Sequence, residues 1–377
     1  MLAFRQGEFR MAKLLILANS DVGLYKFRRE LVEELLKKHE VFISLPGGEY
    51  ISELIELGCK FIDTPISRRG TNLITDFMLL VRYKKIIGQV KPDAVLTFTI
   101  KPNVYGGIIC RRLKTPYIAN ITGLGTALEN GGALQMMALF LYRMAMEKAR
   151  CVFVQNEENF DFVTTKGIVR GRCRLIPGSG VNLDYFRPLD YPDDSSIEFL
   201  YISRIMKEKG IDQYLDAAEH IRDKYPNAKF HILGSCEGAY EDKLNEMHSR
   251  GIVKYHGMQS DVRKFHQISH CTIHPSYYPE GMSNVLLESA ACGRPIITTS
   301  RSGCKEAVAD GLNGFLVEQR NSRDLIEKIE RFMKLDNESK KRMGLAGREK
   351  IAAEFDRKRV IEAYLSEIGE ISIEQYI

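Results

Sequence analysis

A chain of 377 residues exceeds the ~250–300 residues at which single hydrophobic cores stop growing, so two domains are expected. Its 44% hydrophobic and 27% charged residues suit a globular protein, and no run approaches the ~20 apolar residues of a helical membrane span. The net charge of +5 is uneven: residues 1–187 hold 27 Lys+Arg against 18 Asp+Glu, a net of +9, and residues 188–377 a net of −4, which points to an anionic partner for the first half.

The opening MLAFRQGEFR has neither the apolar core nor the small-residue cleavage site of a secretory signal, and residues 1–11 read as an unpacked extension. A buried strand is expected at Lys13–Asn19, then a glycine turn at Gly23 and an amphipathic helix over Leu24–Lys38. Strand-like runs recur at Val41–Leu45, Lys60–Asp63, Ala94–Phe98, Tyr117–Ile121 and Cys151–Val154, separated by segments of helix length. That alternation predicts a parallel sheet covered by helices on both faces, a doubly wound α/β domain over 12–186. The Pro-, Asp- and Ser-rich stretch 187–196 reads as a linker. A second strand–helix series follows over 197–355, with strands at Phe199–Arg204, Lys229–Ser235, Val253–Gly257, Cys271–Ser276 and Pro295–Thr299. Two such domains should face a cleft, with ligands at the carboxyl ends of the strands. The eight cysteines are scattered without a C-x-x-C pair, as suits reduced, buried thiols in a cytosolic enzyme rather than a disulfide framework or zinc site.

The stretch YYPEGMSNVLLESAACGRPIITT places Glu280 before a glycine and Glu288 eight residues on, inside an apolar run. Ser283 is expected to cap a helix from about Asn284 to Cys292, ended by Gly293 and Pro295. The N–H groups of Gly281, Met282, Ser283 and Asn284 would then point from the helix start, where the dipole favours a phosphate. One carboxylate before that seat and one further down the helix match hydroxyls on either side of a diphosphate, the layout of a nucleotide sugar. A helical glutamate is usually solvated; here the apolar neighbours of Glu288 argue for a partner. Further upstream, SRIMKEKG places Arg204 at a strand end and Lys209 before Gly210. Two cations there suit a leaving diphosphate, although loop cations are commonly just solvated.

SRIMKEKG, PEGMSNVLLESAACGRPIITT and GLNGFLV together resemble the signature of retaining family-4 glycosyltransferases of the GT-B fold, including an E-x7-E motif. The resemblance implies two Rossmann-like domains, with Arg204 and Lys209 on the donor diphosphate, Glu280 on the transferred sugar and Glu288 on the ribose. It implies a front-face transfer in which the departing diphosphate oxygen helps deprotonate the acceptor. It also implies that the last helix, within 356–377, crosses back to the first domain, and that Gly23 brings backbone close to the donor phosphates. Thr122, in TGLGTAL, stands where many relatives carry a histidine near the sugar. Lys101, in TIKPN, is either an acceptor-phosphate contact or a surface lysine. No G-x-G-x-x-G, D-x-D or H-E-x-x-H occurs, so neither cofactor nor metal is expected.

Basic clusters at Lys26/Arg28/Arg29, Arg68/Arg69, Arg82/Lys84/Lys85 and Arg111/Arg112/Lys114 are individually ordinary solvated faces and together a surface for anionic lipid. The apolar, Met-rich Ala133–Met146 reads either as a core helix or as a peripheral anchor. The overall pattern is similar to bacterial transferases that extend a lipid-diphosphate-linked sugar. The expected partners are a UDP-sugar donor (GalNAc or Gal first), a lipid-linked saccharide acceptor and an anionic membrane surface, with no nucleic acid. The expected location is cytoplasmic, peripheral at the inner face of the cytoplasmic membrane. Two other readings share the architecture. A UDP-sugar 2-epimerase would need acid/base histidines, for which His274 and His256 are the nearest candidates, and a catalytically silent nucleotide-binding subunit would not need the cation and glutamate set.

Overall fold

A computed structural model describes residues 11–67, 72–125, 128, 132–236 and 238–374. The chain divides into two compact units, 1–179 with 359–377, and 180–358. Of the expected extension only Met11 is described, and it is exposed; Arg68 and Arg69 lie outside the described residues.

The first unit is a seven-stranded parallel sheet: β1 (Lys13–Leu17), β2 (Glu40–Leu45), β3 (Lys60–Asp63), β4 (Ala94–Phe98), β5 (Tyr117–Ile121), β6 (Cys151–Val154) and β7 (Cys173–Leu175), in the order 3-2-1-4-5-6-7. β1, β4, β5 and β6 are near-continuous apolar runs because helices cover both their faces. The second unit repeats the plan with β8 (Ile197–Ile202), β9 (Ala228–Leu233), β10 (Lys254–Tyr255), β11 (Cys271–His274), β12 (Ile296–Thr299) and β13 (Gly314–Val317), in the order 10-9-8-11-12-13. Both are doubly wound α/β sheets. In each the strand order reverses beside the first strand, between β1 and β4 and between β8 and β11, which opens a crevice at the strands' carboxyl ends. The edge strands β7 and β13 escape a purely apolar reading: CRL is short and mixed, and GFLV begins on a glycine.

The expected linker is not free. Arg294, fully buried, donates to the carbonyls of Leu189 (3.2 Å) and Asp190 (2.6 Å), and Tyr191 donates to the His270 carbonyl at 2.8 Å. These bonds strap 187–196 to the second unit, so the chain changes unit earlier, at Ser179–Gly180. Within the second unit the two crossing segments run side by side, with Val181 N–H on the Phe355 carbonyl (2.9 Å) and Arg357 N–H on the Val181 carbonyl (3.1 Å). The last helix, Arg357–Glu374, completes the first unit: Val360, Tyr364, Ile368 and Ile371 are buried in its core. Tyr364 Oη accepts from Asn120 Nδ2 at 2.6 Å, and the buried Glu367 is held by Arg174 (2.6 Å) and Arg172 (3.0 Å).

Candidate active site

The site in the second unit forms where its sheet order reverses. β8 ends at Ile202, and Arg204 follows two residues later; the neighbouring β11 ends at His274 and leads into the loop that carries Glu280. Gly210, at φ +75°, draws these two connections together: a Cβ there would lie 2.1 Å from the Pro275 carbonyl oxygen, so only glycine fits. Lys209, immediately before it, is buried, and its carbonyl accepts from Tyr201 Oη at 3.1 Å.

Lys209 Nζ donates to Glu280 Oε1 across a separation of 71 residues in sequence. Ser276 Oγ donates to the same oxygen at 3.3 Å, and His274 Nε2 lies 3.7 Å away. Burial raises the Glu280 pKa, but the Lys209 ammonium and the His274 contacts outweigh it and hold the carboxyl well below its usual range. Burial lowers the pKa of His274, which is therefore neutral at neutral pH, and its Nδ1 has no hydrogen-bond partner among the described residues. Cys304 completes a trio of possible metal donors with His274 and Glu280. The donor chemistry does not favour a divalent ion: the carboxylate already carries an ammonium, and burial pushes the thiol up to about 12.

The helix after this loop spans Asn284–Ala291. Ser283 stands at its N-cap position but does not cap it; Ser283 Oγ is 3.3 Å from His274 Nε2, and its N–H donates to the Gly303 carbonyl at 2.8 Å. The expected phosphate seat is thereby narrowed, because that N–H is already used, whereas those of Met282 and Asn284 have no partner among the described residues. Gly303, at φ +90°, fixes the loop from the other side: a Cβ would lie 2.9 Å from the Glu280 carbonyl oxygen. Leu286, Leu287, Ala290 and Ala291 are buried, while Asn284, Val285 and Glu288 are half-buried and form the helix's open face. Glu288 is thus less enclosed than its apolar neighbours in sequence implied. It lies one turn below Asn284, whose Oδ1 is buried without a partner among the described residues.

Arg204 is exposed, its guanidinium 5.7 Å from the Tyr278 ring centre, and Lys209 Nζ is 5.0 Å from the same centre. Tyr278 therefore lies within cation–π range of both cations. The structure brings Arg204, Lys209, Glu280, Gly281, Met282, Ser283, Asn284 and Glu288 to one end of this sheet. The remaining expected residues belong to the first unit. Gly23 lies in the first turn of the Asp21–Leu36 helix, and its N–H donates to Ser20 Oγ at 3.3 Å. Lys101 is no solvated surface lysine: it pairs with Asp76 at 2.7 Å, both largely buried. Thr122 directly follows β5.

Sequence reasoning missed two participants of this site: Gly303 carries no local motif, and Tyr278 gains its meaning only from cations 69 and 74 residues away. In the first unit it missed the strain at Thr99. Thr99 has φ +73° and a buried hydroxyl without a partner among the described residues, at the carboxyl end of β4. A β-branched residue in that region is a genuine outlier, of the kind that collects at functional sites.

Comparisons with known proteins bear on the family and the fold. A model described as Glycosyl transferase 4-like matches residues 13–156, and one described as Glycosyl transferases group 1 matches 190–350. The N,N'-diacetylbacillosaminyl-diphospho-undecaprenol alpha-1,3-N-acetylgalactosaminyltransferase of Campylobacter jejuni is 27% identical over 368 residues, covering 93% of this chain and 96% of its own. The UDP-Gal:alpha-D-GlcNAc-diphosphoundecaprenol alpha-1,3-galactosyltransferase of Escherichia coli is 24% identical, covering 76% and 78%. The crystal structure of Anabaena Alr3699/HepE in complex with UDP and glucose superposes with a TM-score of 0.77 at 18% identity, covering 95% of this chain and 99% of that one. With both halves matched in order, the chain belongs to the family-4 glycosyltransferases of the GT-B fold.

Proposed function

We propose that the protein transfers a hexose or N-acetylhexosamine, GalNAc or Gal first, from a UDP-sugar to a lipid-diphosphate-linked saccharide, with retention of configuration and without a metal ion. The observation that carries this reading is the Lys209–Glu280 pair at the carboxyl ends of β8 and β11, beside a helix start with unused N–H groups. The activities of the Campylobacter and Escherichia relatives support the sugar and acceptor class, and the HepE complex supports a UDP donor. The family matches give no support to an epimerase, and His256 Nε2 is engaged with His231 Nδ1 at 2.9 Å beside the edge strand β10.

In this mechanism Arg204, Lys209 and the helix N-terminus face the diphosphate, where fixed donors stabilise the charge that develops as the leaving group departs. The bond from the sugar's anomeric carbon to the phosphate oxygen breaks and its electron pair leaves with UDP. The acceptor oxygen bonds to the same face of that carbon, and its proton passes to the departing phosphate oxygen. Glu280, held ionised, accepts hydrogen bonds from sugar hydroxyls, and Glu288 accepts from the ribose. The work takes place at the inner face of the cytoplasmic membrane, where such an acceptor is held.

The test is UDP release from UDP-GalNAc, UDP-Gal, UDP-Glc and UDP-GlcNAc, with and without a polyprenyl-diphosphate-linked saccharide, in buffer containing EDTA. Acceptor-dependent release from at least one donor, with an α-linked product by NMR, is expected. Release indifferent to acceptor, or activity abolished by EDTA and restored by Mn²⁺, overturns the acceptor or the metal-free part respectively.

A further inference from the structure

Two helices of the first unit turn apolar side chains to the outside. On the Leu73–Val90 helix Leu73, Ile74, Phe77, Met78 and Val81 are 77%, 73%, 67%, 61% and 49% exposed. Their spacing by three or four places them on one face, and the opposite face, with Leu79, Tyr83, Ile86 and Ile87, fills the core. On the Gly132–Met146 helix Met136, Met137 and Phe140 repeat the arrangement, while Tyr142, Ala145 and Met146 are buried. The Met-rich segment is thus a core helix on one side and an exposed apolar surface on the other. Both helices pack on the Pro102–Gly106 turn that follows β4, and their exposed apolar residues lie in the halves nearest the carboxyl edge of the sheet, apart from Phe140 just past the middle of its helix. Ile100, 41% exposed, stands on that same edge between Thr99 and Lys101.

Scattered exposed apolar residues are ordinary; two helices packed on one turn and each presenting a row of them are not. Among the described residues of these two helices the exposed charges are of one sign. The Leu73–Val90 row continues into the exposed Lys84 and Lys85, and Arg82 adjoins it; the helix's one acid, Asp76, is buried and paired with Lys101. The Gly132–Met146 helix contains no acid at all and carries Arg143 in its last turn. Apolar rows bordered by uncompensated cations match a bilayer whose surface is anionic and whose interior is hydrocarbon. The cluster Arg111/Arg112 is not part of this surface: it ends the Gly107–Leu113 helix, at the opposite edge of the sheet, where Arg111 pairs with Glu147 at 2.8 Å.

We propose that this rim seats in an anionic lipid bilayer, with Leu73, Phe77, Met136 and Phe140 entering the acyl boundary and Lys84 and Lys85 at the headgroups. Its purpose rests on the lipid-linked acceptor proposed above, since the rim adjoins the Thr99–Lys101 loop at the carboxyl end of β4. Its geometry does not rest on that reading, and the assay needs no turnover. No described helix is long and apolar enough to cross a membrane, so the contact is one of lying on the surface.

Flotation of the full chain with vesicles of equal phosphatidylcholine and phosphatidylglycerol, and with phosphatidylcholine alone, tests it. Binding to the anionic vesicles is expected, only partly reversed by salt because an apolar component remains. The variant Phe77→Ser/Met78→Ser/Phe140→Ser should lose about ten-fold or more in vesicle binding while keeping the wild-type melting temperature and UDP affinity. Wild type and variant floating equally, wild type failing to float with anionic vesicles, or a wild-type dimer in solution that the variant dissociates would each overturn the proposal, the last assigning the surface to a second copy. Failure of transfer with vesicle binding intact would instead count against the proposed function alone.

Discussion

Lys209→Met is the most informative single change, because it removes the charge that keeps a largely enclosed carboxylate ionised. At an effective dielectric of ~20, unit charges ~4 Å apart attract by about 4 kcal/mol, and breaking a buried pair by removing one partner typically costs ~3–5 kcal/mol. In the wild type the Glu280 pKa is depressed relative to the unfolded chain, so its contribution to stability is full above the ordinary carboxyl range and is lost only as pH falls through the depressed folded value. Lys209 is the largest influence opposing burial at Glu280, and burial is the largest influence of all, so without Lys209 burial dominates. The folded pKa then rises above its unfolded value and the sign reverses: the variant is weakest at neutral pH and recovers stability as pH falls toward 5. Urea unfolding of wild type, Lys209→Met, Glu280→Gln and the double variant from pH 5 to 8 measures this. The expectation is a loss of ~3–5 kcal/mol for Lys209→Met at pH 7.5 and a coupling of at least ~2 kcal/mol in the double-variant cycle. Additive single effects with no pH-dependent recovery would refute the pairing.

Glu288→Ala should weaken free UDP roughly 10- to 150-fold, the equivalent of one charged hydrogen bond, whereas Glu280→Ala should spare UDP and cripple turnover; calorimetric titration giving wild-type UDP affinity for Glu288→Ala removes the ribose assignment. Arg204→Ala, at an exposed position that costs little stability, should lower kcat by ~100-fold or more with a much smaller change in donor KM, as expected when one fixed donor to a leaving group is lost; a change confined to KM would make it a ground-state contact. Gly303→Ala should cost ~1–3 kcal/mol and lower turnover by displacing the Glu280–Gly281 backbone, since it combines φ +90° with a Cβ 2.9 Å from a carbonyl oxygen; an unchanged melting temperature would show that the loop yields.

The order of strands and helices was legible because period and length are local: apolar runs such as KLLIL and AVLTF are buried on both faces and must be parallel strands between helices. The glutamate spacing and the cations before Gly210 were legible for the same reason, as each lies within one connection at a strand's carboxyl end. What the local pattern could not carry is pairing at a distance. Lys209 and Glu280 meet because β8 and β11 are neighbours in a sheet whose order is decided by the whole unit, and no spacing in the chain encodes a contact across 71 residues. The change of unit at Ser179 rather than in 187–196 was hidden likewise, since Pro, Asp and Ser mark a loop whether or not an arginine a hundred residues on ties its carbonyls down. The Leu73–Val90 helix shows the limit most plainly. Apolar residues at three- and four-residue spacing occur on both its faces, and sequence cannot say which face meets the core; packing against β1 and the Pro102–Gly106 turn buried Leu79 and Tyr83 and left Phe77 and Met78 outside.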